Sequence, residues 1–282
     1  MPAYFLYNYS MEKDARDLIR YFRSIGLEVH TSTKARGNQG FYIKNRIDIS
    51  KNAPSNRIIP ILLHEFTHYI HSKIEPLMER TGGSVEVIFD DDNAEFYLNE
   101  LRSVTNNIDK NSKCEKLIEH KNIIKNKIIH YESIIKNRYP KFQRSKKFAE
   151  FNNYIKNSDA KYLLKYDRVK LIKRGFSRQC KIYSINNIEA DFTDMPLEFA
   201  AYIRLKSCQK RQSRISAKIN KMNKYYSKPT ELFARFVEGL YINKEQVKEL
   251  APNCYKRFFE LLKSGYYKEL SDVFYRYIPI IE

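Results

Sequence analysis

Tryptophan is absent from this 282-residue chain, and glycine and proline are scarce, at 8 and 9 residues. Such low counts exclude collagen-like and low-complexity sequences. Cysteine is rarer still. The four present (Cys114, Cys180, Cys208 and Cys254) lie at least 28 residues apart. Without a CxxC pair, neither a thiolate zinc site nor a thioredoxin-like motif has local support, and the pattern is that of reduced intracellular thiols. Long apolar runs are also missing. The longest lies near Arg57–Leu63 and is far too short to span a bilayer, which sets aside a membrane protein. The opening residues, MPAYFLYNYSMEKD, have no basic start and no small-residue cleavage site, so no secretory signal is expected and the reading is cytoplasmic. The chain is instead rich in aromatic and basic residues. Its 22 Tyr and 17 Phe argue against disorder, and an apolar content of 43% is enough to build a core.

The 51 Lys+Arg outnumber the 33 Asp+Glu, giving a net charge of +18. That excess is uneven. Residues 1–100 net −2, whereas residues 101–190 carry 22 bases against 8 acids, and residues 201–230 carry nine bases and no acid. A positive field of this size attracts nucleic acid, anionic lipid or an acidic protein. A plainer account is a lysine-rich solvated surface, since Asn, Lys, Ile and Tyr are abundant throughout.

Hydrophobic periodicity predicts a helix over 11–25, with Ala15, Leu18, Ile19 and Phe22 on one face and Gly26 as its stop. LEVHTS (27–32) and GFYIKNRIDIS (40–50) read as strands around the turn-rich segment 34–40. An apolar helix then runs from Arg57 through Leu63 into His64, and SVEVIFD (84–90) reads as a further strand. The acidic run Asp90–Asn93 lacks the spaced ligands and central glycine of a calcium loop, so helix capping is the better account. Residues 94–138 predict a long helix, and 110–190 a basic helical insertion in the form of a helical hairpin. Further helices are expected over 194–227, 230–243 and 245–280.

The chemistry concentrates in His64-Glu65-Phe66-Thr67-His68, an HExxH motif. Residues four apart on a helix project from one face, so the two imidazoles can share one Zn²⁺. Glu65, beside the first ligand, can then take a proton from water whose pKa the zinc lowers toward neutrality. The strand that precedes the helix suits alignment of an extended peptide substrate. Chance occurrence of so short a motif is countered by its apolar helix and by its use of two of only six histidines in the chain.

A third ligand has to come from elsewhere. His71 lies two turns, about 10 Å, from His64, too far to join it on one ion. The HExxHxxGxxH pattern of metzincins fails, because His71 and Ile74 stand where the Gly and the last His belong. No histidine follows His130, so a ligand from a later helix must be a carboxylate. Glu95, Glu198 and Glu231 are the candidates, each near a predicted helix start.

HEFTHYIH followed distantly by KYYSKPTELFARFVEGLY resembles the zincin-like metallopeptidases of phages and mobile elements, a gluzincin type related in its core to the ImmA/IrrE peptidases. The likeness covers residues 40–72 and 224–243, about a fifth of the chain, and Val237 departs from the alanine often found in that pattern. It implies that Glu231 is the third zinc ligand, with Glu198 the alternative. It also implies that Glu238 orients His64 or His68 as a supporting residue beside Arg235. Arg235 and Tyr241 are then candidates to stabilise an oxyanion.

The expected architecture is α+β and mainly helical: a zincin core with a small mixed sheet and a long helical insertion. Residues 1–93 would hold the HExxH part, 94–190 the basic insertion and 191–282 the helices with the third ligand. The expected activity is zinc-dependent hydrolysis of protein or peptide bonds, with nucleic acid a further partner through the insertion. The alternative is a nucleic-acid-binding or scaffolding protein built on a degenerate zincin core, in which Lys, Arg, Tyr and Phe interleaved through 133–184 contact phosphates and bases.

Overall fold

The computed structural model describes residues 3–32, 39–92, 94–173 and 179–277. Helix α1 (Ala3–Ser24) leads into strands β1 (Glu28–Ser32), β2 (Gly40–Ile43) and β3 (Arg46–Ser50), then helix α2 (Ile58–Ile74). Two short helices, α3 (Met78–Thr81) and α4 (Val85–Phe89), precede α5 (Ala94–Thr105). A π-helical turn over 106–110 joins α5 to α6 (Asn111–Arg138). Next come α7 (Lys146–Asn157), β4 (Arg168–Lys173), β5 (Gln179–Ser184), α8 (Ile188–Asp191) and α9 (Leu197–Tyr225). Helices α10 (Pro229–Ile242), α11 (Lys244–Leu250), α12 (Pro252–Lys263) and α13 (Lys268–Tyr277) close the described chain. The protein is thus mainly helical with small sheets. No described helix is long and apolar enough to cross a membrane.

Two compact units emerge, residues 1–112 with 222–282, and residues 113–221. The inserted unit therefore begins and ends later than the expected 94–190. Side-chain burial explains the shift. Leu101 and Val104 of α5 are fully buried in the same core as Leu232, Phe236 and Val237 of α10, so α5 belongs with the motif. Phe199, Ala200, Tyr202 and Ile203 of α9 pack instead with Phe142, Phe151 and Ile185, so most of α9 belongs to the insertion.

Within the first unit, α2 is apolar around most of its circumference, and Leu62, Leu63, Phe66 and Ile70 are buried. Phe66 stacks on Phe22 of α1 with ring centroids 4.2 Å apart. Complete burial of an aromatic ring contributes about 1.5–3 kcal/mol, so this pair fixes α1 against the motif helix. Thr67, also fully buried, satisfies its hydroxyl on the Leu63 carbonyl at 2.7 Å. The sheet has the order β1-β3-β2, with β1 parallel and β2 antiparallel to β3, and among the described residues β2 pairs only with β3.

Several sequence expectations need correction. Residues 40–50 form a hairpin rather than one strand, turning at Lys44, whose φ of 52° is left-handed. No glycine marks that turn, which is why alternation ran straight through it. The strand expected over 84–90 is helix α4, because Val85, Ile88 and Phe89 bury one helical face. Ser84 Oγ caps it, accepting the Val87 N–H at 3.3 Å, and Asp90 ends it at φ 46°. Asp91 accepts the Tyr97 hydroxyl at 2.8 Å; Asn93 lies outside the described residues. The long helix over 94–138 is interrupted by the π-helical turn. The insertion is not purely helical, since β4 and β5 form an antiparallel hairpin with Val169 and Tyr183 packed on its core. The helix over 245–280 is three helices, interrupted at Ala251 and around Gly265, and residues 278–280 fall outside the description. So does the 34–38 part of the expected turn.

One loop ties the end of α2 to the start of α10. Glu75 accepts from His71 Nε2 at 3.0 Å and from the Ser84 N–H at 2.9 Å. Gly83 has φ 80°, and a Cβ there would meet His71 Cε1 at 2.3 Å. Gly83→Ala therefore strains the backbone and collides with a buried ring at once. We expect a loss of about 2–4 kcal/mol, read by chemical denaturation, because both left-handed strain and core overpacking act.

Candidate metal centre

Helices α2 and α10 face each other, and their facing side chains include the polar residues of the HExxH motif and of PTELFARFVE. Pro229 sits in the first turn of α10, where its missing N–H costs nothing. The Thr230 N–H donates to the Gly82 carbonyl at 3.2 Å, anchoring that turn. Glu231 follows in the same turn and points back at α2.

His64, His68 and Glu231 are all buried, and one ligand atom from each lies within 4.8 Å of the others. His64 Nε2 is 3.6 Å from Glu231 Oε2, and His68 Nε2 is 3.7 Å from Glu231 Oε1. These separations are long for hydrogen bonds. They are close to the roughly 3.3–3.5 Å expected between ligands about 2.0–2.2 Å from a shared tetrahedral ion. Glu231 Oε2 is also buried without a hydrogen-bond partner, an arrangement that a cation would satisfy.

The far ring nitrogens are held. His64 Nδ1 is 3.2 Å from Glu238 Oε2, and His68 Nδ1 is 3.0 Å from Thr230 Oγ1. With each Nδ1–H donated away from the cluster, each Nε2 lone pair points into it. Glu238 is fixed in turn by Arg57 at 2.7 Å and Arg235 at 2.5 Å. Glu238→Gln keeps the shape and removes the charge from this support. We expect the affinity of the cluster for a divalent metal ion to fall about 10–100-fold, measured by chelator competition.

Glu65 is buried beside the cluster but is not one of the three clustered groups. A Cβ on Gly40 would lie 2.7 Å from Glu65 Oε1 and 2.5 Å from Ile61 Cγ2. Strand β2 therefore begins directly against the Glu65 carboxylate. Further along, Tyr42 Oη meets Ser72 Oγ at 3.0 Å, so β2 runs beside α2 toward its C-terminal end.

Electrostatics at the cluster follow from burial and crowding. Burial first, then repulsion from Glu231 and Glu238, raises Glu65 to about 7 against the pull of His64 and Arg235. Burial lowers His68 to about 3. For His64, burial and Arg235 act downward, yet Glu231, Glu238 and Glu65 outweigh them and the net shift is upward. Burial acts upward on Glu231, but His68 and His64 hold it below the ordinary carboxylate range. Three carboxylates (Glu65, Glu231 and Glu238) thus crowd together with two arginines, a local excess of negative charge that a divalent cation would offset.

The other sequence candidates lie elsewhere. Glu198 belongs to the second unit, where its buried carboxylate pairs with Arg138 at 3.3 Å and Lys147 at 3.8 Å. Glu95 is exposed on α5. His71 is buried against Phe233, with ring centroids 6.2 Å apart, consistent with a packing role. Tyr241, ten residues past Glu231 and so about 15 Å along α10, packs partly buried on the hydrophobic core. Arg235 is held on Glu238.

Sequence reasoning missed three contributors. Arg57 is the N-cap of α2, seven residues before His64, a position that was legible. Thr230 adjoins Glu231, but nothing in its type signals a partner for His68. Tyr225 also went unnoticed: burial, then the charge of Glu231, push its phenol well above the ordinary value. No protein-family model, no curated protein and no solved structure matches the chain.

Proposed function

We propose that the chain is a zinc-dependent metallopeptidase of the zincin type, hydrolysing protein or peptide bonds. The observation that carries this reading is the convergence of His64 Nε2, His68 Nε2 and Glu231 in one buried cluster, each imidazole braced at Nδ1, with Glu65 alongside. His64, His68 and Glu231 would hold the ion. Zinc, when bound, supplies Lewis acidity toward the scissile carbonyl and toward the attacking water.

The remaining steps belong to the chain. The Glu65 carboxylate takes one proton from the attacking water as the oxygen adds to the carbonyl carbon. It then delivers that proton to the departing amide nitrogen as the C–N bond breaks, leaving a carboxylic acid and an amine. Its buried position beside the three clustered groups suits both halves of that transfer. The substrate would lie in extended form alongside β2, which begins directly against the Glu65 carboxylate. Gly40 is required there, since any side chain would occupy the space of the Glu65 carboxylate. Arg57, Arg235 and Glu238 act as a brace for His64 rather than on substrate.

The test is elemental analysis of the purified protein, followed by incubation with fluorescent casein and peptide libraries. The expected result is about one zinc per chain and cleavage that stops with a chelator and returns with zinc. Absence of bound zinc after zinc has been supplied would refute the reading.

A further inference from the structure

The second unit holds nearly the whole charge excess of the protein. Residues 113–221 carry 27 Lys+Arg and 10 Asp+Glu, a net of +17, whereas the rest of the chain carries 24 and 23, a net of +1. Compositional bias toward lysine would raise both units alike. It does not account for a boundary in charge that coincides with a boundary in structure.

The charge is also patterned on α9. Lys206, Lys210, Arg214, Lys218 and Lys221 follow one another at spacings of four, four, four and three, which places them in a single row along the helix. The row spans fifteen residues, about 22 Å. No acid occurs between Glu198 and Glu231, so α9 cannot neutralise the row through pairs within the helix. Arg214, Lys218 and Lys221, at the solvent end of the row, are exposed. Ser213 and Asn220, also exposed, interleave hydrogen-bonding groups with the cations.

The buried side of α9 has a different task. Cys208 and Ile215 pack with Ile124 of α6, which fixes the helix so that the cationic face stays outward. The β4–β5 hairpin adds Arg168 and Lys170 to the unit's exposed basic side chains.

We propose that residues 113–221 form a nucleic-acid-binding module, whose α9 row contacts the phosphodiester backbone. A membrane surface is the competing polyanion, and the helix argues against it. Interfacial helices set large apolar side chains opposite their basic face. The exposed large apolar residues of α9 are Leu197 and Tyr225, at its two ends, and none accompanies the row itself. Successive phosphates along a strand instead match a linear array of cations over this length. The inference does not depend on the metal cluster or on hydrolysis.

The test is fluorescence anisotropy of the full chain with a labelled 20-base-pair duplex and the corresponding single strand, from 50 to 300 mM salt. Parallel flotation uses vesicles of phosphatidylcholine with about 30% phosphatidylserine. The triple variant R214Q/K218Q/K221Q is compared with K51Q/K256Q/K263Q, which removes three exposed lysines of the first unit. Binding to either nucleic acid that weakens steeply with salt is expected. In the α9 variant it should weaken at least tenfold at 100 mM salt, with the log–log slope reduced by about 2.7 on the duplex or about 2.1 on the single strand, the values for three lost phosphate contacts. The first-unit variant should bind as the wild type does. Absence of binding at 50 mM salt, equal losses in the two variants, or binding confined to vesicles would overturn the proposal.

Discussion

Glu65→Gln should yield a protein that still carries one zinc per chain and hydrolyses peptides about 10²–10⁴-fold more slowly than the wild type. The amide matches the carboxylate in shape, so the tight contact with Gly40 is retained and the helix is undisturbed. Only proton transfer is lost. The amide cannot accept a proton from water or return one to the leaving nitrogen, and a deficit of about 3–5 kcal/mol in the barrier follows from that loss. Zinc should be retained because the three convergent atoms come from His64, His68 and Glu231. The measurement is the initial rate on a peptide that the wild type cleaves, normalised to zinc content. A wild-type rate in a pure, zinc-loaded variant would remove Glu65 from the mechanism. Loss of zinc together with activity would instead make Glu65 a ligand.

What the sequence revealed depended on the range of the interaction. The i, i+4 spacing of His64 and His68 is a local rule, and the apolar run before it signals a buried helix, so two of the three clustered groups were readable from one segment. Glu231 lies 163 residues further on, and no spacing rule reaches that far. Elimination left three carboxylates open, and resemblance alone singled out one. In the structure, Glu198 turns its carboxylate to Arg138 and Lys147, a pairing equally invisible to local pattern. Short elements failed for a different reason. Over five residues, VEVIF satisfies both the alternation of a strand and the i, i+3, i+4 face of a helix, and the Ser84 cap decides between them. RVKLIK and QCKIYS do alternate, but the basic composition around them suggested solvated helix, so the β4–β5 hairpin went unread. Unit boundaries escaped because no proline- or glycine-rich linker marks them: α9 runs without interruption across residue 221.

Zinc should raise the melting temperature of the wild type by about 8–16 °C and leave that of Glu231→Ala nearly unchanged. A ligand present at a thousand times its dissociation constant stabilises the folded state by about 4 kcal/mol, and each kcal/mol moves the transition by about 2–4 °C for a unit of this size. The metal-free proteins should follow a different order. One Glu231 oxygen is buried without a hydrogen-bond partner, yet against the upward pull of burial His68 and His64 hold the carboxylate below its ordinary range, so its charge is net stabilised in the fold. Removing the side chain loses that stabilisation together with the site, and metal-free Glu231→Ala should melt below the metal-free wild type. Glu198→Ala separates the two units. It removes a buried carboxylate of the second unit, leaving Arg138 to solvent and Lys147 to Glu150, while the zinc-induced shift of the first unit is preserved. Calorimetry with and without zinc resolves the three proteins. If Glu198→Ala rather than Glu231→Ala abolishes the shift, then the metal is held by a different carboxylate from the one that α10 presents to the motif helix.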